Sequence, residues 1–296
     1  MDSVNLTMTS VGVTAFNINE CSDLTLYGLT VWWDTPGFAQ ATITGVQNSG
    51  ANDFDIQSHL DDGHNSSFLF NASTGQMNGE YTNPQSGRLE AGPGWSTITG
   101  TPSAVNGKEN TLTVPLKDSY FTPMVGYKLL ARGKFLFCNQ VTNSNNTIIN
   151  DFTLLNCAGF GFFSGGNRKT TFNSFFLKPA PFPPPGGTGL PARSSSADGI
   201  HSGGDYIGPT FDSYLFAALD DDCMAVHGSL YRLTGAGPTA NSFVMPAGDA
   251  EPGDVLRFYS SGNYDVLGTA TVTNAKLNGS GPLVIIVDHL PKKCRA

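Results

Sequence analysis

The chain has 296 residues, of which only 14% are charged, and it contains 35 glycines and 18 prolines. A chain so rich in the two poorest helix formers is unsuited to a helical fold and favours many short strands joined by turns. The net charge of −8, with no cluster of Lys or Arg, argues against a nucleic-acid or anionic-membrane partner. No apolar run approaches the roughly 18 residues of a membrane span.

A short repeat begins near the N-terminus. The segment "LYGLTV" from Leu26 has an apolar residue, two small or polar ones, then apolar, any, apolar. The same pattern recurs in "INDFTL" from Ile149, "FNSFFL" from Phe172 and "FDSYLF" from Phe211. The step from Ile149 to Phe172 is 23 residues, and the longer step to Phe211 contains the Pro-rich loop "KPAPFPPPGGTGLPARSSS".

A period near 23 residues predicts an all-β fold, a parallel β-helix, in which each coil buries its apolar face against the next. The small or polar pairs fit corners between strands, because Asn and Asp tolerate the left-handed backbone found there. These pairs are Asn150-Asp151, Asn173-Ser174 and Asp212-Ser213. An antiparallel sandwich also has short strands, but it would not readily give three copies in register.

Two regions do not follow the repeat. Residues 32–125 contain alternating runs such as "ATITGV" and "NTLTVPL", and residues 229–296 contain "PGDVLRFYSSGNYDVLGTATVT". We predict that both are antiparallel β subdomains inserted into turns of the helix, whose coils occupy residues 1–31 and 126–228. Because no coil follows the second insert and no signal peptide opens the chain, we expect the sequence to be truncated.

Other features favour a secreted glycoprotein, although chance matches are the alternative in a chain rich in Asn, Ser and Thr. The acceptor pattern N-x-S/T occurs at Asn5, Asn65, Asn71, Asn145 and Asn278. The five cysteines fit no zinc spacing, and they allow either one or two disulfides or buried thiols.

The acidic residues of the segment Ser196–Gly228 are spaced by one coil. Asp198 is followed 23 and 24 residues later by Asp221 and Asp222, which end a run that begins at Asp220. Equivalent positions on stacked coils lie about 4.8 Å apart, so we expect these carboxylates to meet on one face. Crowding raises at least one pKa, and a protonated carboxyl beside an ionised one is the equipment of a glycosidase. A solvated ladder of aspartates and a calcium site are the alternatives.

These residues resemble a known family. The segments "DGIHS" (Asp198–Ser202) and "DDCMAVHG" (Asp221–Gly228) are similar to the D-G-F-H-x-S and D-D-x-I-x-[VI]-H-G motifs of α-1,3-galactosidase-type β-helix hydrolases. The segment "GLTVWWDTPGFAQATI" resembles the start of that family's first insert. Polygalacturonases are a more distant match, because their G-H-G and R-I-K motifs do not follow here.

The resemblance implies a right-handed parallel β-helix and an inverting glycoside hydrolase that needs no cofactor and acts on a carbohydrate. It implies that Asp198 is the general acid and that Asp221 with Asp222 holds the attacking water as the base. Inversion requires carboxyl groups roughly 6.5–9.5 Å apart, which leaves room for the water.

Four more residues are candidates for contacting the sugar. His201 and His227 could hydrogen-bond a hydroxyl or alter a carboxylate pKa, and their structural alternative is a histidine satisfied within the stack. Tyr206 lies in the loop "SGGDYIGP", and Trp33 could offer an aromatic platform, although a tryptophan is more often part of the core. We expect no metal and no cofactor.

Two other functions remain open. A polysaccharide lyase on the same scaffold would use the acidic cluster for calcium and a basic residue such as Arg168, Lys169 or Arg193 as the base. A non-catalytic carbohydrate-binding or structural β-helix would need neither. The favoured hypothesis is hydrolysis of a galactoside or a related polysaccharide.

Overall fold

The computed structural model describes residues 4–10, 13–51, 53–61, 76–82, 96–99, 103–105, 108–117, 123–132, 137–228, 230–245, 250–277, 282–291 and 294. In these residues the regular structure is β, with 22 strands and no α-helix. In the same ranges no helix has the length and apolar character needed to cross a membrane.

The strands of the first part of the chain, in order, are β1 (Val4–Met8), β2 (Phe16–Asn19), β3 (Thr25–Trp33), β4 (Phe38–Asn48), β5 (Phe54–Leu60), β6 (Gln76–Thr82), β7 (Ser96–Thr99), β8 (Ser103–Val105), β9 (Lys108–Lys117), β10 (Lys128–Arg132) and β11 (Asn139–Thr142). Those of the second part are β12 (Ile148–Leu155), β13 (Phe162–Gly165), β14 (Thr171–Lys178), β15 (Ile200–Gly203), β16 (Thr210–Phe216), β17 (Met224–His227), β18 (Gly235–Ala236), β19 (Ser242–Met245), β20 (Val255–Tyr259), β21 (Val266–Leu277) and β22 (Leu283–Val287).

The repeated segments form one parallel sheet, with the strand order β1-β3-β12-β14-β16. Ile149 pairs with Leu26 on one side and with Phe172 on the other, and Phe172 pairs with Phe211. The first residues of all four predicted repeat copies therefore lie side by side.

A second parallel sheet has the order β17-β15-β13-β11-β2. Gln140 of β11 pairs with Phe163 of β13, 23 residues later, and Ile200 of β15 pairs with Met224 of β17, 24 residues later. The two sheets take strands alternately along the chain, and this arrangement is consistent with a parallel β-helix.

The predicted corner residues have the left-handed backbone. Asp151, Ser174 and Ser213 have φ values of 50°, 49° and 56°, and Gly28 has φ 68° at the same place in β3. These residues take no part in the pairing of their strands. Each therefore bends its strand and shifts the alternation of side chains by one residue, so that Ile149 and Phe152 both point into the core.

The interior of this stack is apolar and aromatic. Phe152 stacks on Phe175 of the next strand with ring centroids 6.1 Å apart, and Phe172 stacks on Phe211 at 5.6 Å. Cys138 and Cys157 form a disulfide within the same core. Cys21, Cys223 and Cys294 are free thiols, which leaves one disulfide among the described residues.

Both regions outside the repeat contain antiparallel sheets. The first region forms a seven-stranded sheet with the order β5-β4-β10-β6-β7-β9-β8. The second forms a five-stranded sheet, β18-β19-β22-β21-β20, with a core that includes Phe243, Phe258 and Ile285. By contact the chain divides into an N-terminal unit, Met1–Gly228, and a C-terminal unit, Ser229–Ala296.

Of the predicted glycosylation acceptors, Asn5 and Asn145 are exposed. Asn65, Asn71 and Asn278 lie outside the described residues.

Candidate functional site

The three candidate carboxylates lie on neighbouring strand ends of the N-terminal unit. Asp198 comes just before β15, and Asp221 and Asp222 lie in the turn before β17. The Gly199 amide donates to the Asp222 carbonyl at 2.9 Å, and the Ile200 amide donates to the Cys223 carbonyl at 3.1 Å. The 24-residue offset between Ile200 and Met224 continues through these bonds, and it sets Asp222 level with Asp198.

The side chains converge as the spacing predicts. One carboxylate oxygen from each of Asp198, Asp221 and Asp222 lies within 4.8 Å of the others. Asp198 is only 5% exposed, whereas Asp221 and Asp222 are both exposed because they lie in a turn and not within a strand. The cluster therefore combines one buried carboxyl with two that face solvent.

The pKa of the Asp198 carboxyl is raised above its usual range. Burial is the largest cause, since it penalises the charged form. The hydrogen bond from His201 lowers the pKa, but the negative charges of Asp221 and Asp222 raise it again. Asp198 is thus the member of the cluster suited to hold a proton, as a general acid must.

The carboxylates are closer together than the resemblance implies. Their nearest oxygens lie within 4.8 Å, whereas inverting glycosidases keep their carboxyl groups roughly 6.5–9.5 Å apart. Asp221 and Asp222 are both exposed, and Asp221 Oδ1 accepts from the Asp222 amide at 3.1 Å.

One candidate histidine contacts the buried carboxyl, and the second contacts the first. His201 Nδ1 is 2.6 Å from Asp198 Oδ2, and His201 Nε2 is 3.1 Å from His227 Nε2. Phe160 and Phe163 flank the His201 ring, with centroids 4.8 Å and 6.0 Å away. His201 and His227 therefore belong to the same constellation as the carboxylates.

Tyr206 and Trp33 do not belong to that constellation. Asp198 precedes β15 and Tyr206 follows it, so they lie at opposite ends of the strand, and Arg168 stacks 4.3 Å from the Tyr206 ring centroid. The prediction that Trp33 is an aromatic platform is wrong, because its side chain is fully buried in the apolar core of the parallel sheets. It alternates along β3 with the partly exposed Trp32, which stacks edge-on against Phe182.

An ion pair that sequence reasoning missed supports the acidic turn. Arg193 Nη2 lies 2.9 Å from Asp220 Oδ1, and the two side chains are 0% and 1% exposed. Asp220 is therefore a buried anchor of the turn, meaning that its ion pair with Arg193 holds the chain in place directly before Asp221. This pairing explains why the acidic run contains a third aspartate. The available signal was a basic residue near the end of the Pro-rich loop, Arg193, together with a third aspartate, Asp220, in the acidic run.

The seven-stranded sheet contacts the loop that carries Arg193. Gln40 of β4, which is fully buried, accepts from the Ala192 amide at 2.8 Å and donates to the Leu190 carbonyl at 3.2 Å. Its amide also donates to Asp61 Oδ2 at 2.7 Å. The loop that carries Arg193 is thus tied to the seven-stranded sheet.

Asp61 is the centre of a compact polar network. Burial raises the pKa of its carboxyl, but hydrogen bonds from Lys128, Gln40 and Thr42, together with the Lys128 charge, outweigh burial and leave the pKa below its usual value. Lys128 Nζ is 2.5 Å from Asp61 Oδ2. The ionised carboxylate therefore holds Gln40 in the orientation that binds the loop.

In comparisons with known proteins, the chain matches no family model and no curated protein.

Proposed function

We propose that this protein is a glycoside hydrolase built on a right-handed parallel β-helix with a coil of about 23 residues. The substrate is a galactoside or a related polysaccharide, and hydrolysis needs no cofactor. The observation that carries the proposal is the meeting of one buried carboxyl, Asp198, with two exposed ones, Asp221 and Asp222. One protonated and one ionised carboxyl supply the acid and the base that the cleavage of a glycosidic bond requires.

In this mechanism the Asp198 carboxyl donates its proton to the glycosidic oxygen, and that oxygen keeps the electron pair of the broken bond. Asp221 and Asp222 hold a water molecule and remove its proton as it attacks the anomeric carbon. Burial favours the protonated form of Asp198, whereas exposure keeps the other two carboxylates solvated.

We propose that the product anomer is inverted, as the resemblance implies. Inversion requires the exposed Asp221 or Asp222 to rotate outward and admit the water between the carboxyl groups. NMR of the first product formed distinguishes the outcomes. A retained anomer would instead indicate direct attack by a carboxylate at the shorter separation.

The test is a screen of aryl glycosides and of plant and fungal polysaccharides. Asp222→Asn should abolish the activity found for the wild-type chain, and Asp198→Asn should lower it about 10²–10⁴-fold on polysaccharides. Circular dichroism should show that both variants remain folded. Asp212→Asn is the matched control, since Asp212 is an exposed aspartate of β16 that bonds to Ser213 outside the cluster. Unchanged turnover in both cluster variants would refute the proposal.

A lyase on the same scaffold is the second candidate, and it would need a basic residue beside the carboxylates. Arg193 is buried against Asp220, and Arg168 stacks on Tyr206, so both guanidinium groups are engaged away from the cluster. Of the three candidate bases these contacts leave Lys169, and they therefore weigh against a lyase that uses Arg168 or Arg193. Products that absorb in the ultraviolet, and activity lost to a chelator, would favour the lyase, whereas binding on a glycan array without turnover would favour a non-catalytic role.

A further inference from the structure

A chain of three polar contacts runs from the buried carboxyl to the surface. Asp198 Oδ2 meets His201 Nδ1 at 2.6 Å, His201 Nε2 meets His227 Nε2 at 3.1 Å, and His227 Nδ1 meets the Gly228 carbonyl at 3.2 Å. Asp198 is buried, the His201 side chain is 24% exposed, and His227 is exposed. The chain therefore links the proposed acid to solvent through two imidazole rings.

The contacts fix the number of protons that the chain holds. A carbonyl oxygen only accepts, so the hydrogen bond to Gly228 requires a proton on His227 Nδ1. The contact between the two Nε2 atoms requires one proton, because one nitrogen must donate and the other accept. The contact between Asp198 and His201 requires a third. All three hydrogen bonds are made only when three protons are present.

Three protons can be arranged in two ways. Either Asp198 is a carboxylic acid and both rings are neutral, or Asp198 is ionised and the pair of rings shares one positive charge. Both arrangements have zero net charge, and they differ by the movement of one proton across the 2.6 Å contact. In the first arrangement Asp198 carries the proton that the leaving oxygen needs, and in the second that proton lies on His201 Nδ1 and must first return across the 2.6 Å contact.

The surroundings of Asp198, His201 and His227 favour a net charge of zero for the three side chains together. Phe160 and Phe163 flank the His201 ring, and apolar neighbours disfavour an uncompensated charge. Besides the His201 ring, the groups that act electrostatically on Asp198 are the carboxylates of Asp221 and Asp222. Asp205, in the turn after β15, is bonded instead to Ser164, Ser202 and the Asn167 amide.

We propose that Asp198, His201 and His227 form one proton-holding unit that reloads the general acid from solvent. The inference rests on the proposed hydrolase, in which Asp198 is the catalytic residue and the histidines are positioning residues. Each turnover transfers one proton to the leaving oxygen, so that the unit holds two protons and one of its hydrogen bonds is lost. Uptake of one proton from water through the exposed His227 restores all three bonds and the zero net charge.

The first arm of the test needs no substrate. Imidazole ¹H–¹⁵N NMR of the full chain should show a proton on His227 Nδ1 and one proton shared between the two Nε2 atoms. His227→Gln should change the signals of the His201 ring nitrogens. His59→Gln, which alters an exposed histidine of β5, should leave those signals unchanged. A His227 Nδ1 without a proton, or His201 signals identical in the wild type and in His227→Gln, overturns the proposal.

The second arm measures the kcat/KM of His227→Gln against pH. Loss of the outer ring should move the basic limb, which reports the acid, about one unit toward lower pH, whatever the height of the plateau. A fall by one constant factor at every pH would mean that His227 is only structural, and it would overturn the proposal. If no substrate is turned over at all, the hydrolase proposal fails while the NMR arm still tests the unit.

Discussion

Replacing Asp220 with alanine should destabilise the N-terminal unit strongly, because it removes one side of a buried ion pair. The Arg193 and Asp220 side chains are 0% and 1% exposed, and their nitrogen and oxygen lie 2.9 Å apart. Removing one partner leaves a charge buried without its counterion, which costs about 3–5 kcal/mol. For a unit of this size, each kcal/mol lowers Tm by about 2–4 °C, so the expected loss is about 6–20 °C.

The assay is urea unfolding of the full chain, followed by near-ultraviolet circular dichroism and by a thermal scan. Asp212→Ala is the matched control, and as an exposed substitution it should change the free energy of unfolding by less than about 0.5 kcal/mol. The double variant Arg193→Met/Asp220→Leu should be more stable than either single variant, since it leaves no charge behind. A loss below about 1 kcal/mol in Asp220→Ala would refute the assignment of Asp220 as a buried anchor.

Two further predictions concern the dependence of stability on pH. Folding raises the pKa of Asp198, so ionisation of this carboxyl lowers the stability of the folded state as pH rises through the folded pKa. In urea titrations, the free energy of unfolding of Asp198→Asn should therefore match that of the wild type near pH 3 and exceed it at pH 7. A variant less stable than the wild type at pH 7 would contradict this. Folding lowers the pKa of Asp61, so the stability that its ionised carboxylate contributes is present above the unfolded pKa and is lost as pH falls through the folded pKa. Lys128→Met should therefore lower the free energy of unfolding at pH 7, by an amount that shrinks on acidification. A loss that does not depend on pH would show that Lys128 acts through packing alone.

The parallel sheets were predictable because neighbouring strands repeat the same pattern of apolar and corner residues. Ile149, Phe172 and Phe211 begin equivalent segments, and the left-handed residue that follows two positions later is small or polar in each. The spacing alone also predicted that Asp198 would meet Asp222. Where one coil follows another, sequence distance translates directly into position.

The supports of the site were not predictable in the same way. Gln40 reaches the loop at Leu190 and Ala192 across about 150 residues, and no periodicity connects the two segments. The burial of Trp33 was missed because alternation along β3 sends one of two adjacent tryptophans inward, and the sequence does not tell which. Contacts between the antiparallel sheet and the parallel sheets depend on how they pack, which the repeat does not encode.

The most direct test of the central claim separates the acid from the base by the leaving group. Asp198→Asn should lower kcat/KM about 10²–10⁴-fold on a substrate with a poor leaving group, the usual contribution of general acid catalysis. It should lose far less on an aryl glycoside whose phenol is strongly acidic, because that leaving group departs without a proton. Asp222→Asn should lose activity on both substrates. Equal losses for Asp198→Asn on the two substrates, or none on either, would contradict the assignment of Asp198 as the general acid.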